Sequence, residues 1–265
     1  MTASLVGVCA LLGLAIGSFL NVVVWRVPRG ESVVSPPSAC PRCGRAIRPR
    51  DNVPVVSWLL LRGRCRDCGA PISRRYPAVE LATAVLFGLV AALVGPSWIL
   101  PAALYLTAAG VALALIDVDV HRLPDAIVLP SYPVVAALLA LARLAPGGGG
   151  SAWPALLRAL LGGLAMAGVY LALILLKPGG MGLGDLKLGG VLGMFLAWFG
   201  WGTWAIGLFL PFLLGGVFGV TLMAMRRAGR RTAIPFGPWM LVGAFVAAAA
   251  GPALVRWYLG ALTGA

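Results

Sequence analysis

Asp117 closes a long apolar run in Ala114-Leu115-Ile116-Asp117, and Asp185 opens another after Gly179-Gly180-Met181-Gly182-Leu183-Gly184. An ionisable residue at the edge of an apolar segment is costly to keep, so it is a functional candidate by default. Two carboxylates close enough to share one proton cannot both ionise readily. One then acts as general base on a water while the other, protonated, polarises a carbonyl. That is peptide hydrolysis without a metal or a nucleophilic side chain, and such a pair titrates jointly. The bland alternative is two unrelated interfacial charges. Asp119 competes with Asp117, but a two-residue step turns a helix by about 200°, so only one of them can face Asp185. Asp117 is favoured because it lies deeper against the apolar run. Asp125, after Pro124, suits the first turn of the next helix, with substrate binding as the alternative role. His121, the sole histidine, has no second imidazole with which to anchor a metal and reads as a solvated loop residue.

A second constellation is Cys40-Pro41-Arg42-Cys43-Gly44 and Cys65-Arg66-Asp67-Cys68-Gly69, with 21 residues between the pairs. A two-residue gap lets both thiolates of a pair address one ion, and the glycine permits the tight turn that follows. Cys40, Cys43, Cys65 and Cys68 together would make a closed, four-sulfur shell, which is the structural rather than the catalytic type of zinc site. Disulfides or redox dithiols are the rival reading, disfavoured in a reducing compartment. The arginine-rich stretch around them has few apolar side chains, so metal binding is expected to supply much of its folding free energy. Cys9 lies within an apolar run and reads as inert packing.

These residues need elements to carry them, and composition sets what those are. The chain has 265 residues, 60% of them hydrophobic and 11% charged, too little polar surface to coat a soluble globule. The apolar residues form eight candidate spans near 3–25, 78–94, 98–116, 126–144, 159–176, 188–203, 204–224 and 239–258, each about the length that crosses a bilayer core. The expected fold is therefore an all-α membrane protein of about eight transmembrane helices, with a cytosolic zinc-binding loop between the first two. The split between the sixth and seventh is the weakest boundary, since Gly200, Gly202 and Trp204 nearly fuse them, and a count of seven is the alternative. With eight spans, the loops after spans 1, 3, 5 and 7 share one side and hold 18 of the 21 basic residues. Basic residues accumulate in loops that stay cytosolic, so this side is cytosolic, both termini face outward, and Asp117 and Asp185 reach the same membrane face. The net charge of +13 is thus mainly a topology signal, secondarily an attraction to anionic membrane lipids, and nucleic acid is not an expected partner. No basic residue precedes the first span, which is expected to be retained. Pro146 to Ser151 reads as a flexible linker.

With Gly182-Leu183-Gly184-Asp185, an aspartate seven residues before Pro124-Asp125 and two CxxC pairs in place, the chain resembles the type IV prepilin peptidases, also called prepilin leader peptidase/N-methyltransferases. Gly17-Ser18-Phe19-Leu20-Asn21-Val22-Val23 with Arg26 and Pro28 is similar to the family's amino-terminal signature. Ile72-Ser73-Arg74-Arg75-Tyr76-Pro77 with Glu80, and Ile234-Pro235-Phe236-Gly237-Pro238, are similar to two more. The resemblance implies a bifunctional enzyme of the bacterial inner membrane. Such an enzyme removes the short basic leader of prepilins and pseudopilins, in type IV pilus or type II secretion systems, and then methylates the new amino terminus from S-adenosylmethionine. It also implies Asp117 and Asp185 as the catalytic pair, residues 26–76 as the region associated with methylation and 77–265 as the peptidase domain. No GxGxxG follows a strand, so the residues that hold S-adenosylmethionine are unassigned.

A transporter carrying protons or cations on Asp117 and Asp185 is the main alternative, and a non-enzymatic scaffold a third. Transport fits poorly with two aspartates at one face and no charge marking a path across. The glycines of the later spans are expected to serve close helix packing. Trp198, Trp201 and Trp204 are expected to form an interfacial belt rather than a binding cage.

Overall fold

The computed structural model describes residues 2–145, 153–227, 229, 232 and 234–263; the stretch read as a linker at Pro146 to Ser151 lies outside the described residues. The chain forms α1 (Thr2–Arg26), a short α2 (Val56–Leu60), α3 (Arg75–Val94), α4 (Leu100–Val120), α5 (Asp125–Leu144), α6 (Trp153–Leu176), α7 (Leu183–Phe199), α8 (Trp201–Ala224) and α9 (Gly237–Thr263). Among the described residues the only β pairing is two isolated bridges in the cysteine loop. The all-α reading is correct. Among the described residues, seven helices, all but α2 and α7, are long and apolar enough to cross a membrane. The remaining expected span, the sixth at 188–203, is α7, whose 17 residues rise about 25 Å, less than a hydrocarbon core of about 30 Å. It ends at Gly200, where φ of 128° stops the helix, three residues before the expected break.

Two compact units divide the chain, one up to Ala112 and one from Leu113 onward, so α4 belongs partly to each. In the first, α1 packs along α3 through Gly13 and Gly17. A methyl group on Gly17 would come within 2.7 Å of Glu80 Cα and 3.1 Å of Thr83 Oγ1, so the two backbones approach as small-residue interfaces in membranes do. Asn21 fastens the same pair of helices. Its side-chain amide donates to Gly17 O and to Tyr76 O, each at 3.2 Å.

In the second unit, α7 is the central element. Every residue from Leu188 to Ala197 is buried, as befits a helix that is apolar all round, and it packs against α5, α6, α8 and α9. Gly162 and Gly193 let α6 and α7 touch, since a methyl on Gly162 would lie 2.9 Å from Gly193 O. The packing role expected of the glycines holds there. Gly216 has open space beside it. Arg158 from α6 donates to Ala197 O and Trp198 O, each at 2.7 Å, capping the last carbonyls of α7, where the helix dipole favours a cation. Trp204 is fixed inward by its indole N–H on Gly162 O at 2.9 Å, and Trp201 stands half exposed, edge-on to it.

Candidate active site and cysteine cluster

Asp117 sits near the end of α4, 6% exposed, whereas Asp119 is exposed. The helical phase thus turns Asp117 inward, as the sequence favoured. Its Oδ2 accepts the backbone N–H of Gly237 at 2.9 Å, the first residue of α9. A helix start offers free N–H groups and a positive dipole end, both of which suit a carboxylate. Asp185 lies in the first turn of α7, and its Oδ2 accepts the Gly182 N–H at 3.0 Å. Each carboxylate therefore spends one oxygen on a helix-start N–H. Neither Oδ1 has a hydrogen-bond partner among the described residues.

Leu123 joins the two aspartates. A methyl on Gly184 would lie 2.9 Å from Leu123 Cβ, and one on Gly237 would lie 3.2 Å from Leu123 Cδ2 and 2.9 Å from Asp117 Oδ2. The single leucine is seated between the glycine before Asp185 and the glycine that holds Asp117. The structure thus places both sequence candidates around Leu123, within the second unit. This also explains Gly-Leu-Gly-Asp at the atomic level, because any side chain at position 184 would push Leu123 away. Gly237 was visible in the sequence only as part of a motif; a glycine directly before Pro238 at a helix start was the available signal. Lys187, two residues past Asp185, was not singled out. Its Nζ lies 2.8 Å from both carboxylate oxygens of Asp125, so Asp125 opens α5 as expected and also ties α5 to α7. Tyr132 reaches the same turn, donating to Lys187 O at 2.7 Å. His121 is exposed and left-handed at φ 52°, and its backbone N–H donates to Asp117 O at 2.9 Å, closing α4.

The cysteines form a separate cluster in the first unit. The two knuckles fold alike: Cys40 N–H donates to Arg45 O and Gly44 N–H to Cys40 O, while Cys65 N–H donates to Ala70 O and Gly69 N–H to Cys65 O. Both glycines stand at φ 70°, a conformation that costs them little. The four sulfurs all lie within 4.8 Å of one another, and all four cysteines are free of disulfides. Cys40 Sγ and Cys68 Sγ are 3.8 Å apart. A tetrahedron with metal–sulfur bonds of about 2.3 Å has an edge of about 3.8 Å, so the donor set fits a tetrahedral ion. The electrostatics agree. Backbone N–H groups of Cys43 and Arg42 draw the Cys40 thiol down to about 6. Cys68, drawn down by the Ala70 N–H, is pushed up to about 11 by lost hydration and by the sulfurs of Cys65, Cys43 and Cys40. Four crowded sulfurs resist carrying four negative charges unless a cation sits among them.

Two acids of the loop are tied down by arginines. Asp51 accepts from Arg66 Nε and Nη2 at 2.7 to 3.0 Å, and Asp67 accepts from Arg45 at 3.1 Å and Arg48 at 3.2 Å. With so little apolar surface, the loop uses these pairs to hold its knuckles together. The Arg66 guanidinium holds the Asp51 carboxyl below its ordinary range.

A multi-pass helical membrane protein with an aspartate pair at two helix ends and a four-cysteine loop is the class these features define. Residues 11–94 match the Bacterial Peptidase A24 N-terminal domain and residues 104–220 the Type IV leader peptidase family. The chain is 40% identical to a prepilin leader peptidase/N-methyltransferase of Pseudomonas aeruginosa, covering 94% of this chain and 91% of that one. It is likewise 40% identical to one from Aeromonas hydrophila, covering 94% and 92%, and 37% identical to one from Neisseria gonorrhoeae, covering 96% and 94%. The chain belongs to the prepilin leader peptidase/N-methyltransferase family. No solved structure matches it significantly.

Proposed function

We propose that this protein is a bifunctional enzyme of the bacterial inner membrane that removes the leader peptide of type IV prepilins or pseudopilins and methylates the new amino terminus. Asp117 and Asp185 are the catalytic pair of the peptidase. The observation that carries this is the shared geometry of the two carboxylates: each has one oxygen fixed by a helix-start N–H, from Gly237 and from Gly182, and the other unspent, with Leu123 between their glycines. One carboxylate takes a proton from water while the other donates one to the scissile carbonyl. The water oxygen adds to the carbonyl carbon, and the leaving amine takes up a proton as the peptide bond breaks. The fixed Oδ2 atoms keep each carboxyl in one orientation, so little reorganisation accompanies proton transfer.

The substrate reaches this pair as an apolar helix docking laterally, because a basic leader is not drawn to a basic cytosolic face by bulk charge. The basic loops support a cytosolic active site and outward termini. Cys40, Cys43, Cys65 and Cys68 hold structural zinc, which knits residues 26–76, the region associated with methylation; S-adenosylmethionine supplies the methyl group when bound. The transporter reading has no support, since the relatives are named as peptidases. Purified protein mixed with a prepilin in detergent tests the assignment. Asp117→Asn and Asp185→Asn are each expected to lower leader removal by more than about a thousandfold, and intact cleavage by both would refute the pair.

A further inference from the structure

Four of the chain's eight acids, Glu31, Asp51, Asp67 and Glu80, line one cavity of about 790 Å³ in the first unit. The cavity lies between the end of α1, the start of α3 and the cysteine loop. Its size falls within the range of about 300–1,000 Å³ usual for small-molecule sites. Five arginines, Arg26, Arg42, Arg45, Arg48 and Arg66, line it as well, so its character depends on which charges stay unpaired.

The polar groups left unspent sharpen this. Asp51 and Asp67 are neutralised by arginines. Glu80 is not: it is 7% exposed, its Oε2 accepts the Val55 N–H at 2.7 Å, and its Oε1 has no partner among the described residues. Asn21 donates to Gly17 O and Tyr76 O, which leaves its carbonyl oxygen unspent as well. The helix side of the cavity therefore offers acceptors and one buried negative charge. At the rim, the exposed Arg42 guanidinium has no partner among the described residues. Val55 is held at φ 61° and ψ −49°, a strained conformation for a β-branched residue, and it is in this conformation that its N–H meets Glu80. Trp25 and Tyr76, both half exposed, add aromatic surface. A basic leader peptide is a poor match, because Arg26, Arg45, Arg48 and Arg66 also line the walls. A small ligand that carries cations, amino and hydroxyl donors, an aromatic base and one carboxylate matches every feature.

We infer that this cavity is the binding site for the methyl donor S-adenosylmethionine, with Glu80 facing its positive charge, Asn21 accepting from its donors and Arg42 pairing with its carboxylate. This rests on the methyltransferase reading. Equilibrium dialysis of labelled S-adenosylmethionine against the full-length protein in detergent tests it. Glu80→Gln retains an acceptor for the Val55 N–H and removes only the charge, and it is expected to weaken binding about tenfold. Arg42→Glu, at a side chain with no contacts to lose, is expected to weaken it by a similar factor. Zinc content and elution profile serve as folding controls; should Glu80→Gln fail them, Arg42→Glu alone decides. Variants that bind as the wild type does would overturn the inference and leave the methyltransferase reading standing. A wild-type protein that binds no S-adenosylmethionine would remove both.

Discussion

At the level of single side chains, the aspartate pair depends on contacts that are backbone on one side and carboxylate on the other. Gly237→Ala would put a methyl 2.9 Å from Asp117 Oδ2, so the carboxyl must turn or α9 must retreat. Such displacements near reacting groups cost about 10- to 100-fold in rate, and leader cleavage by the variant is expected to fall by that factor while its helical circular dichroism is unchanged. Asp51 is tied to pH in the other direction from a gained proton. Arg66 holds its folded value below the unfolded one, so the stabilisation is fully present above the ordinary carboxylate range and is lost as pH falls through the depressed value. Arg66 is partly exposed, which keeps the effect modest. Asp51→Asn is therefore expected to flatten the acid limb of thermal stability measured between neutrality and about pH 3. The acids were the most legible part of the sequence, since a carboxylate beside an apolar run is conspicuous. Their partners were not. A backbone N–H carries no signature in the residue that donates it, so Gly237 could be recognised only through its motif, and Lys187 looked like any interfacial cation.

Among the elements, α7 shows both how far hydropathy reads a membrane protein and where it stops. Its apolar run was plain, but a span and a buried core helix have the same composition, and only neighbours decide between them. The sequence therefore suggested eight crossings, with seven as the alternative, and among the described residues seven helices have the required length, α7 being the short, enclosed one. Its C-terminal end depends on Arg158. Arg158→Ala would leave Ala197 O and Trp198 O without their donor, at a cost of about 1–3 kcal/mol, read as a lowered Tm of the detergent-solubilised protein; Arg158→Lys, which loses the forked geometry, is expected to recover only part of it. The cysteine loop contrasts with α7. There the pattern was fully legible, because spacing alone brings two sulfurs together, while the near-identical folding of the two knuckles required coordinates. The Asp51 and Asp67 ion pairs were illegible for a different reason: with 11 arginines between residues 26 and 76, sequence cannot say which of them an acid chooses.

Across the whole molecule, the asymmetry of charge makes a claim about sides of the membrane that thiol chemistry can check. With the cysteine loop in the cytosol, an impermeant maleimide is expected to leave Cys40, Cys43, Cys65 and Cys68 unlabelled in intact cells, and to label them in inverted membrane vesicles only after a zinc chelator is added. Labelling from outside would reverse the topology. The hydrogen bond from Gly237 to Asp117 spans 120 positions of the chain and joins the end of α4 to the start of the final helix. A ribosome making this protein releases Asp117 and Asp185 long before the N–H that orients the first of them. On the proposed mechanism, a chain that stops short of α9 is expected to lack leader cleavage, which a truncation before Gly237 assayed on a prepilin checks.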